Sequence, residues 1–212
     1  MKGLFLVVTF VLTIVSFTSY LYIQGKNTAI VSKVRDGDTI ELSNGKVIRY
    51  LGVDTPEKGE CYATRSSELN QKLTLNKKVR IEYDADRYDQ FGRELAYVYT
   101  FDKSDTEIMV SEELLKIGAG EFQPDKLNTK YQSRLVLAAE SGHKNSVGMW
   151  TTCRTNGMVC DIKGNLDRYD KRYYHLPSYR HYSSVVVNLT KRDRWFCSEI
   201  EAQKAGFMPA RK

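Results

Sequence analysis

Apolar and polar residues alternate with the period of a β-strand in two short runs of the chain. The alternation is found at residues 78–84 and 94–101, and strand-like runs that include β-branched residues lie at residues 29–34, 39–42 and 46–53. Together they predict five strands. Asp36-Gly37 and Asn44-Gly45 supply turn signals between the first three. We therefore expect the first three predicted strands to form an antiparallel meander.

Other segments place their apolar residues at helical spacing. They are residues 61–75, which end near Asn76, residues 110–117, which precede Gly118, and a longer segment that begins near Asn128. The resulting order is strand, strand, strand, helix, strand, strand. This order predicts an α+β fold: a five-stranded OB-fold barrel with about three helices packed against it.

A second pattern begins near Cys160. An apolar strand is predicted at residues 184–189, and the capping-box signature from Ser198 to Glu201 predicts a short helix that stops at Gly206. We expect a small C-terminal α+β domain. The predicted division is an N-terminal segment with its linker, a barrel domain, a second linker and this small domain, at residues 1–27, 28–152, 153–159 and 160–212.

The N-terminal segment and the cysteines indicate export. Lys2 precedes an apolar stretch at residues 4–23, which predicts either a signal peptide or an uncleaved membrane anchor. The four cysteines favour disulfides over the alternative of zinc ligation, because no metal-site spacing is present. A unit of about fifty residues has a marginal core and is stabilised by a cross-link such as a disulfide. Cys160 with Cys197 is the expected one.

The net charge of the chain indicates what kind of partner it favours. Lys and Arg number 32 against 26 Asp and Glu, so the chain carries +6. This favours a polyanionic partner such as nucleic acid but is compatible with any basic soluble protein.

Charge is concentrated at residues 34–57. Asp38, past a turn, and Asp54, at the end of the third strand, could converge at one end of a barrel and bind a hard cation such as calcium. The alternative is that the aspartates only stabilise the turn. Arg49, in an otherwise apolar strand, needs an anionic partner. Glu57 could be a base or an ordinary surface residue.

Three blocks, VRDGDTIEL, IRYLGVDTPE and DRYDQFGRELAYVY, occur in this order and resemble the motifs of the staphylococcal nuclease (thermonuclease) family. The resemblance covers about residues 29–150. It implies that Asp38 and Asp54 are carboxylate ligands of calcium, and that Thr55 adds its backbone carbonyl.

The same resemblance implies catalytic roles for three further residues. Arg49 and Arg93 would clamp the scissile phosphate, and Glu57 would be the general base on the attacking water. By itself, Arg93 could equally be a turn residue after Gly92. The implied activity is cleavage of DNA and RNA that leaves a 3′-phosphate.

The resemblance also implies a disulfide between Cys61 and Cys153, as in exported members. The family's base-stacking tyrosines are not evident; Phe122 or Tyr131 could replace them or belong to the core. The tail, with IKGN, YYHLP and RWFCSEIEAQKAGF, is similar to the small sunset domain of some bacterial nucleases.

Two functions follow as hypotheses. The first is a monomeric, calcium-dependent nuclease that is secreted or held outside the cytoplasm by its N-terminal segment. The second is a non-catalytic OB-fold module that binds nucleic acid or another polyanion at the cell surface.

Overall fold

The computed structural model describes residues 27–153 and 160–211. The predicted anchor and the second linker lie outside this range, apart from Asn27 and Cys153. Within it, no helix combines the length and the apolar character that crossing a membrane requires.

Five strands close into a barrel. They are β1 (Thr28–Val34), β2 (Thr39–Leu42), β3 (Val47–Tyr50), β4 (Lys78–Glu82) and β5 (Glu94–Phe101). Neighbouring strands pair antiparallel in the order β3-β2-β1-β4-β5, and the parallel pairing of β3 with β5 closes the ring. The predicted barrel is confirmed. A short strand that the sequence analysis missed, β6 (Glu107–Met109), extends the sheet along β5.

The barrel interior is filled by alternate residues of these strands. Val31, Ile40, Ile48, Ala96 and Val98 are fully buried. This is the result expected when one face of each strand is apolar, since successive side chains of a strand point to opposite faces.

Four helices accompany the barrel in the described part of the chain. They are α1 (Ala63–Thr74), α2 (Val110–Lys116), α3 (Gln132–Lys144) and the short α4 (Met149–Thr152). The first three match the predicted helices, although α3 begins four residues later than expected. The fully buried positions of α1 are polar, namely Ser66, Asn70 and Thr74, whereas Leu69 and Leu73 are only partly buried.

The C-terminal unit has its own small sheet. Its strands are β7 (Ile162–Leu166), β8 (Arg172–His175), β9 (Arg194–Phe196) and β10 (Met208–Pro209), in the order β10-β8-β7-β9. Tyr174, Phe196 and Phe207 form its core. The helix α5 (Glu199–Lys204) is capped by the Ser198 side chain, which accepts a hydrogen bond from the Glu201 amide. The prediction of a capped helix there is confirmed.

The predicted strand at residues 184–189 is wrong. The segment runs between two 3₁₀ turns, Tyr182–Ser184 and Leu189–Lys191, and Val186 is 76% exposed. The Lys163 ammonium donates to the carbonyls of Tyr182 and Val185 at 3.0 and 2.8 Å. These backbone groups are therefore satisfied by a side chain and not by a partner strand.

Both expected disulfides are present. Cys61 is bonded to Cys153, and Cys160 is bonded to Cys197. All four cysteines are therefore paired, and none is left as a free thiol that could bind zinc.

Candidate active site

The loop between β1 and β2 presents Asp38 to the segment that follows β3. The amide and hydroxyl of Thr55 both donate to Asp38 Oδ2, at 2.9 and 3.0 Å. Gly37 makes this approach possible, because a Cβ atom there would lie 2.4 Å from Thr55 Oγ1. The two chain segments are therefore in direct contact at Asp38.

A buried asparagine of α1 fixes the same loop from below. Asn70 Nδ2 donates to the carbonyl of Asp36 at 3.0 Å, and Asn70 Oδ1 accepts from the Tyr50 hydroxyl at 2.8 Å. Asn70 is completely buried, so both hydrogen bonds are protected from water. The position of Asp38 is thus set by α1 and β3 together.

Arg49 joins two carboxylates. Its Nη1 lies 2.8 Å from Asp38 Oδ2, and its Nη2 lies 2.6 Å from Asp54 Oδ1. Nη1 also donates to the carbonyl of Val53 at 2.7 Å. Only 13% of the Arg49 side chain is exposed. One planar guanidinium therefore brings together carboxylates from the β1–β2 loop and from the segment that follows β3.

The two carboxylates have different surroundings. Burial raises the pKa of Asp38 to about 6, although the Arg49 charge and the Thr55 amide act in the opposite direction. The Asp54 side chain is 45% exposed and faces solvent more openly. Ionised Asp38 thus calls for positive charge nearby. Asp38 and Asp54 supply hard carboxylate oxygens, the type of ligand that a calcium ion takes. Among the described residues, no group of three or more acidic, histidine or cysteine side chains is arranged to hold a metal ion.

Glu57 follows Asp54 by three residues, and Arg93 immediately precedes a strand that pairs with β3. Glu57 is exposed, and its backbone forms a turn with Glu60, whose carboxylate accepts from the Glu57 amide at 2.8 Å. Arg93 directly precedes Glu94, which pairs with Ile48, so its backbone runs beside the strand that carries Arg49.

The structure brings Asp38, Arg49, Asp54 and Thr55 into contact. Among the described residues, Glu57 and Arg93 form no hydrogen bond or ion pair with them. Arg93 Nε instead donates to Asp89 Oδ2 at 2.6 Å.

Two aromatic residues considered as base-stacking groups belong to the core. Phe122 is buried, and Tyr131 packs edge-to-face against Tyr97 and donates its hydroxyl to Glu82. The sequence analysis missed Phe91, which is 73% exposed with its ring centroid 5.5 Å from Arg93 Cζ. Its position in a turn immediately before Gly92 was the available signal.

The sequence analysis also missed a backbone contact between Asp54 and Glu121. The amides of Asp54 and Glu121 donate to each other's carbonyls at 2.9 and 2.8 Å. Gly120 permits this pairing, because a Cβ atom there would lie 2.5 Å from the Asp54 carbonyl oxygen. Burial raises the pKa of Glu121 to about 7 against the opposing charge of Arg194.

Comparisons with known proteins agree on one family. A family model described as staphylococcal nuclease homologue matches residues 47–152. A thermonuclease of Staphylococcus hyicus is 34% identical over 135 residues, which are 59% of this chain and 77% of that protein.

Two proteins of Bacillus subtilis are also similar. Endonuclease YncB is 37% identical over 126 residues, 55% of this chain and 58% of its own. SPbeta prophage-derived endonuclease YokF is 36% identical over 136 residues, 59% of this chain and 44% of its own. The chain thus spans about half the length of these two relatives.

Proposed function

The chain belongs to the staphylococcal nuclease family, and from this premise we propose that it is an exported, calcium-dependent nuclease that hydrolyses phosphodiester bonds of DNA and RNA. The observation that carries the proposal is the contact of Arg49 with both Asp38 and Asp54. Relatives named endonuclease and thermonuclease give it further support.

In this proposal, the carboxylates of Asp38 and Asp54 and the carbonyl of Thr55 hold the calcium ion. When bound, the ion supplies positive charge that offsets the charge of the phosphate. The buried position of Asp38 makes it a strong ligand, because its charge is poorly hydrated without a cation.

The remaining roles belong to three side chains. Glu57 accepts a proton from the attacking water, which makes the oxygen a better nucleophile. As this oxygen bonds to phosphorus, the bond between phosphorus and the 5′-oxygen breaks, and the 5′-oxygen takes up a proton from solvent, so the products are a 3′-phosphate and a 5′-hydroxyl. To act on the phosphate, Arg49 exchanges its contacts with Asp38 and Asp54, and Arg93 its contact with Asp89, for two-pronged hydrogen bonds to phosphate oxygens. Both arginines then stabilise the extra negative charge that develops as the water oxygen attacks. Lysine would be a poor substitute at either position, because it lacks the planar fork.

The setting of the molecule is part of the same proposal. Two disulfides are typical of proteins outside the cytoplasm. We propose that the protein acts as a monomer, either secreted or anchored by its N-terminal segment. The division into a barrel domain at residues 28–152 and a sunset-like domain at residues 160–212 completes the proposal.

The test is digestion of single-stranded DNA and of RNA by the purified protein, with calcium and with a calcium chelator. We expect acid-soluble nucleotides with 3′-phosphate ends only when calcium is present. Activity that persists in chelator, or no activity at all, would contradict the proposal.

Two variants separate catalysis from simple binding. Glu57→Gln should reduce kcat by about 10²–10⁴-fold, the usual contribution of a general base, while binding of the oligonucleotide is retained. Glu68→Gln, an exposed glutamate of α1, is the matched control and should leave kcat unchanged. If Glu57→Gln keeps the kcat of the unmodified protein, as this control should, Glu57 is not the general base. Binding of the oligonucleotide without any cleavage by the unmodified protein would instead describe a non-catalytic binding module.

A further inference from the structure

We propose that Arg194, in the C-terminal unit, is a positioning residue for the Asp54 carboxylate, and that it acts through its ion pair with Glu121. The C-terminal unit is then part of the architecture of the active site. This inference rests on the proposed function, because it assigns a purpose to the position of Asp54.

The first step is the link between Glu121 and Asp54. Their backbones form a two-way antiparallel bridge outside the main sheets. Asp54 has its side chain on Arg49 and its backbone on Glu121, so these two contacts define where its carboxylate points. A shift of the segment at residues 120–122 would therefore shift Asp54.

The second step is the link between Glu121 and Arg194. Arg194 Nη2 lies 2.7 Å from Glu121 Oε2, and only 11% of the Glu121 side chain is exposed. A carboxylate buried to this degree needs a cationic partner, since removal of one member of such a pair leaves an uncompensated charge. The pair therefore holds the Glu121 segment against the C-terminal unit.

The third step is the rigidity of the element that carries Arg194. This residue begins β9, which pairs with β7 and ends next to Cys197, whose disulfide reaches Cys160. The neighbouring Trp195 ring is stacked on His143 of α3, with centroids 4.3 Å apart and an angle of 19°. His143 Nε2 also contacts the Cys160 carbonyl oxygen at 2.9 Å.

These contacts attach β9 to the barrel domain through two neighbouring residues. Arg194 contacts Glu121, whose backbone is bridged to Asp54, and Trp195 stacks on His143 of α3. The consequence is specific: loss of the Arg194 charge should loosen Asp54 and weaken the calcium site more than it slows the chemical step.

The experiment uses the full chain with Arg194→Met, which removes the charge but keeps much of the side-chain length. Arg194→Lys tests rescue by a conserved charge. Arg172→Met is the matched control, because Arg172 lies in the same unit and donates to the Ala205 carbonyl there. Glu121→Gln adds a variant that leaves no buried carboxylate unpaired, so a folded protein is available even if Arg194→Met does not fold.

Two readouts are needed. One is calcium affinity by titration calorimetry, together with kcat at saturating calcium. The other is amide hydrogen exchange at residues 53–56 and 119–122 in metal-free protein, which does not depend on activity.

For Arg194→Met we expect calcium affinity to fall by about 10-fold or more, as is typical when a residue supporting a metal ligand is lost. We expect kcat at saturating calcium to change by less than about 3-fold, because the groups proposed to act on water and phosphate remain. Exchange at both segments should be faster. Arg194→Lys should recover most of the affinity, Glu121→Gln should show a smaller loss, and Arg172→Met should match the unmodified protein.

Unchanged exchange and unchanged calcium affinity in both Arg194→Met and Glu121→Gln would overturn the inference. An equal effect of Arg172→Met would also overturn it, because the role of Arg194 would then be general stability. If the unmodified protein proved not to be a nuclease, the exchange measurement would still decide whether Arg194 orders the Asp54 segment.

Discussion

At the scale of single residues, the candidate site depends on how the charge of Asp38 is compensated. Its carboxylate is buried, and two donors of Thr55 together with the Arg49 guanidinium offset the loss of hydration. Arg49 serves Asp54 at the same time. A residue at position 49 with a single donor group could not satisfy both carboxylates with the same geometry.

Phe91 carries a prediction at this scale. Its exposed ring lies next to Arg93, so it can offer a stacking face to a nucleotide base beside the phosphate site. We expect Phe91→Ala to raise the KM for a single-stranded oligonucleotide by about 5–10-fold, near the low end of measured base-stacking contributions. Steady-state kinetics measure this, and kcat and the unfolding temperature should not change.

Tyr169→Ala provides the control, because Tyr169 is a comparably exposed aromatic residue of the C-terminal unit. An equal rise in KM for both variants would show that Phe91 has no special place at the site.

The site could be predicted from sequence only in part. Asp38, Arg49, Asp54 and Thr55 lie within one short stretch, so a meander alone brings them together. Their supports could not be predicted, because each depends on a contact between residues far apart in sequence. Asn70 anchors Asp36, and Arg194 pairs with Glu121. Taken alone, each of these polar residues is typical of a surface.

At the scale of secondary structure, alternation predicted β4 and β5, and strand-like runs between turn signals predicted β1 to β3, because each strand has one face in a single core. The apolar run that predicted a strand at residues 184–189 was misleading, because the Lys163 side chain binds backbone carbonyls of Tyr182 and Val185 there. The three-residue strand β6 is too short to display a period. In α1 the buried face is polar and internally hydrogen-bonded, so hydrophobic spacing indicated the helix but not the face that it buries.

Glu82 links two elements and gives a pH prediction. It lies in β4 and contacts Lys130 and Tyr131, just before α3, as well as Arg80. Burial raises its pKa, but these partners outweigh burial and lower the pKa from an ordinary value of 4.5 to about 2.

Because the folded-state pKa of Glu82 is depressed, its ionised form contributes stability above about pH 4.5, and this contribution is lost as pH falls through 2. We expect Glu82→Gln to lower the free energy of unfolding by about 2 kcal/mol at neutral pH, which is less than the full pKa shift would give because solvent screens this partly exposed group. The difference from the unmodified protein should shrink as pH decreases to 2, as measured by urea denaturation.

Glu68→Gln is again the matched control, because its pair with Arg65 is exposed and screened by water and should contribute little to stability. A Glu82→Gln effect that did not vary with pH would contradict the assignment.

At the scale of the whole molecule, the two disulfides meet in one cluster at the junction of the barrel and the C-terminal unit. Cys160 and Cys197 are buried there with Met149 and Trp150, and Cys153 packs against them. The Cys61–Cys153 bond spans 92 residues and the Cys160–Cys197 bond spans 37. The junction therefore closes the barrel domain and holds the second unit beside it.

The longer of these loops gives the last prediction. Joint replacement of Cys61 and Cys153 by serine should lower the free energy of unfolding by about 4 kcal/mol, because closing a long loop most restricts the unfolded chain. Chemical denaturation of the oxidised proteins measures this. Joint replacement of Cys160 and Cys197 is the comparison, and its loss should be about 1 kcal/mol smaller for the shorter loop.

Cys61 follows Glu57 by four residues. For this reason we expect the replacement of Cys61 and Cys153, but not that of Cys160 and Cys197, to reduce kcat as well. A lower kcat for the Cys160 and Cys197 variant than for the Cys61 and Cys153 variant would show that the disulfide nearer the site does not hold the Glu57 loop.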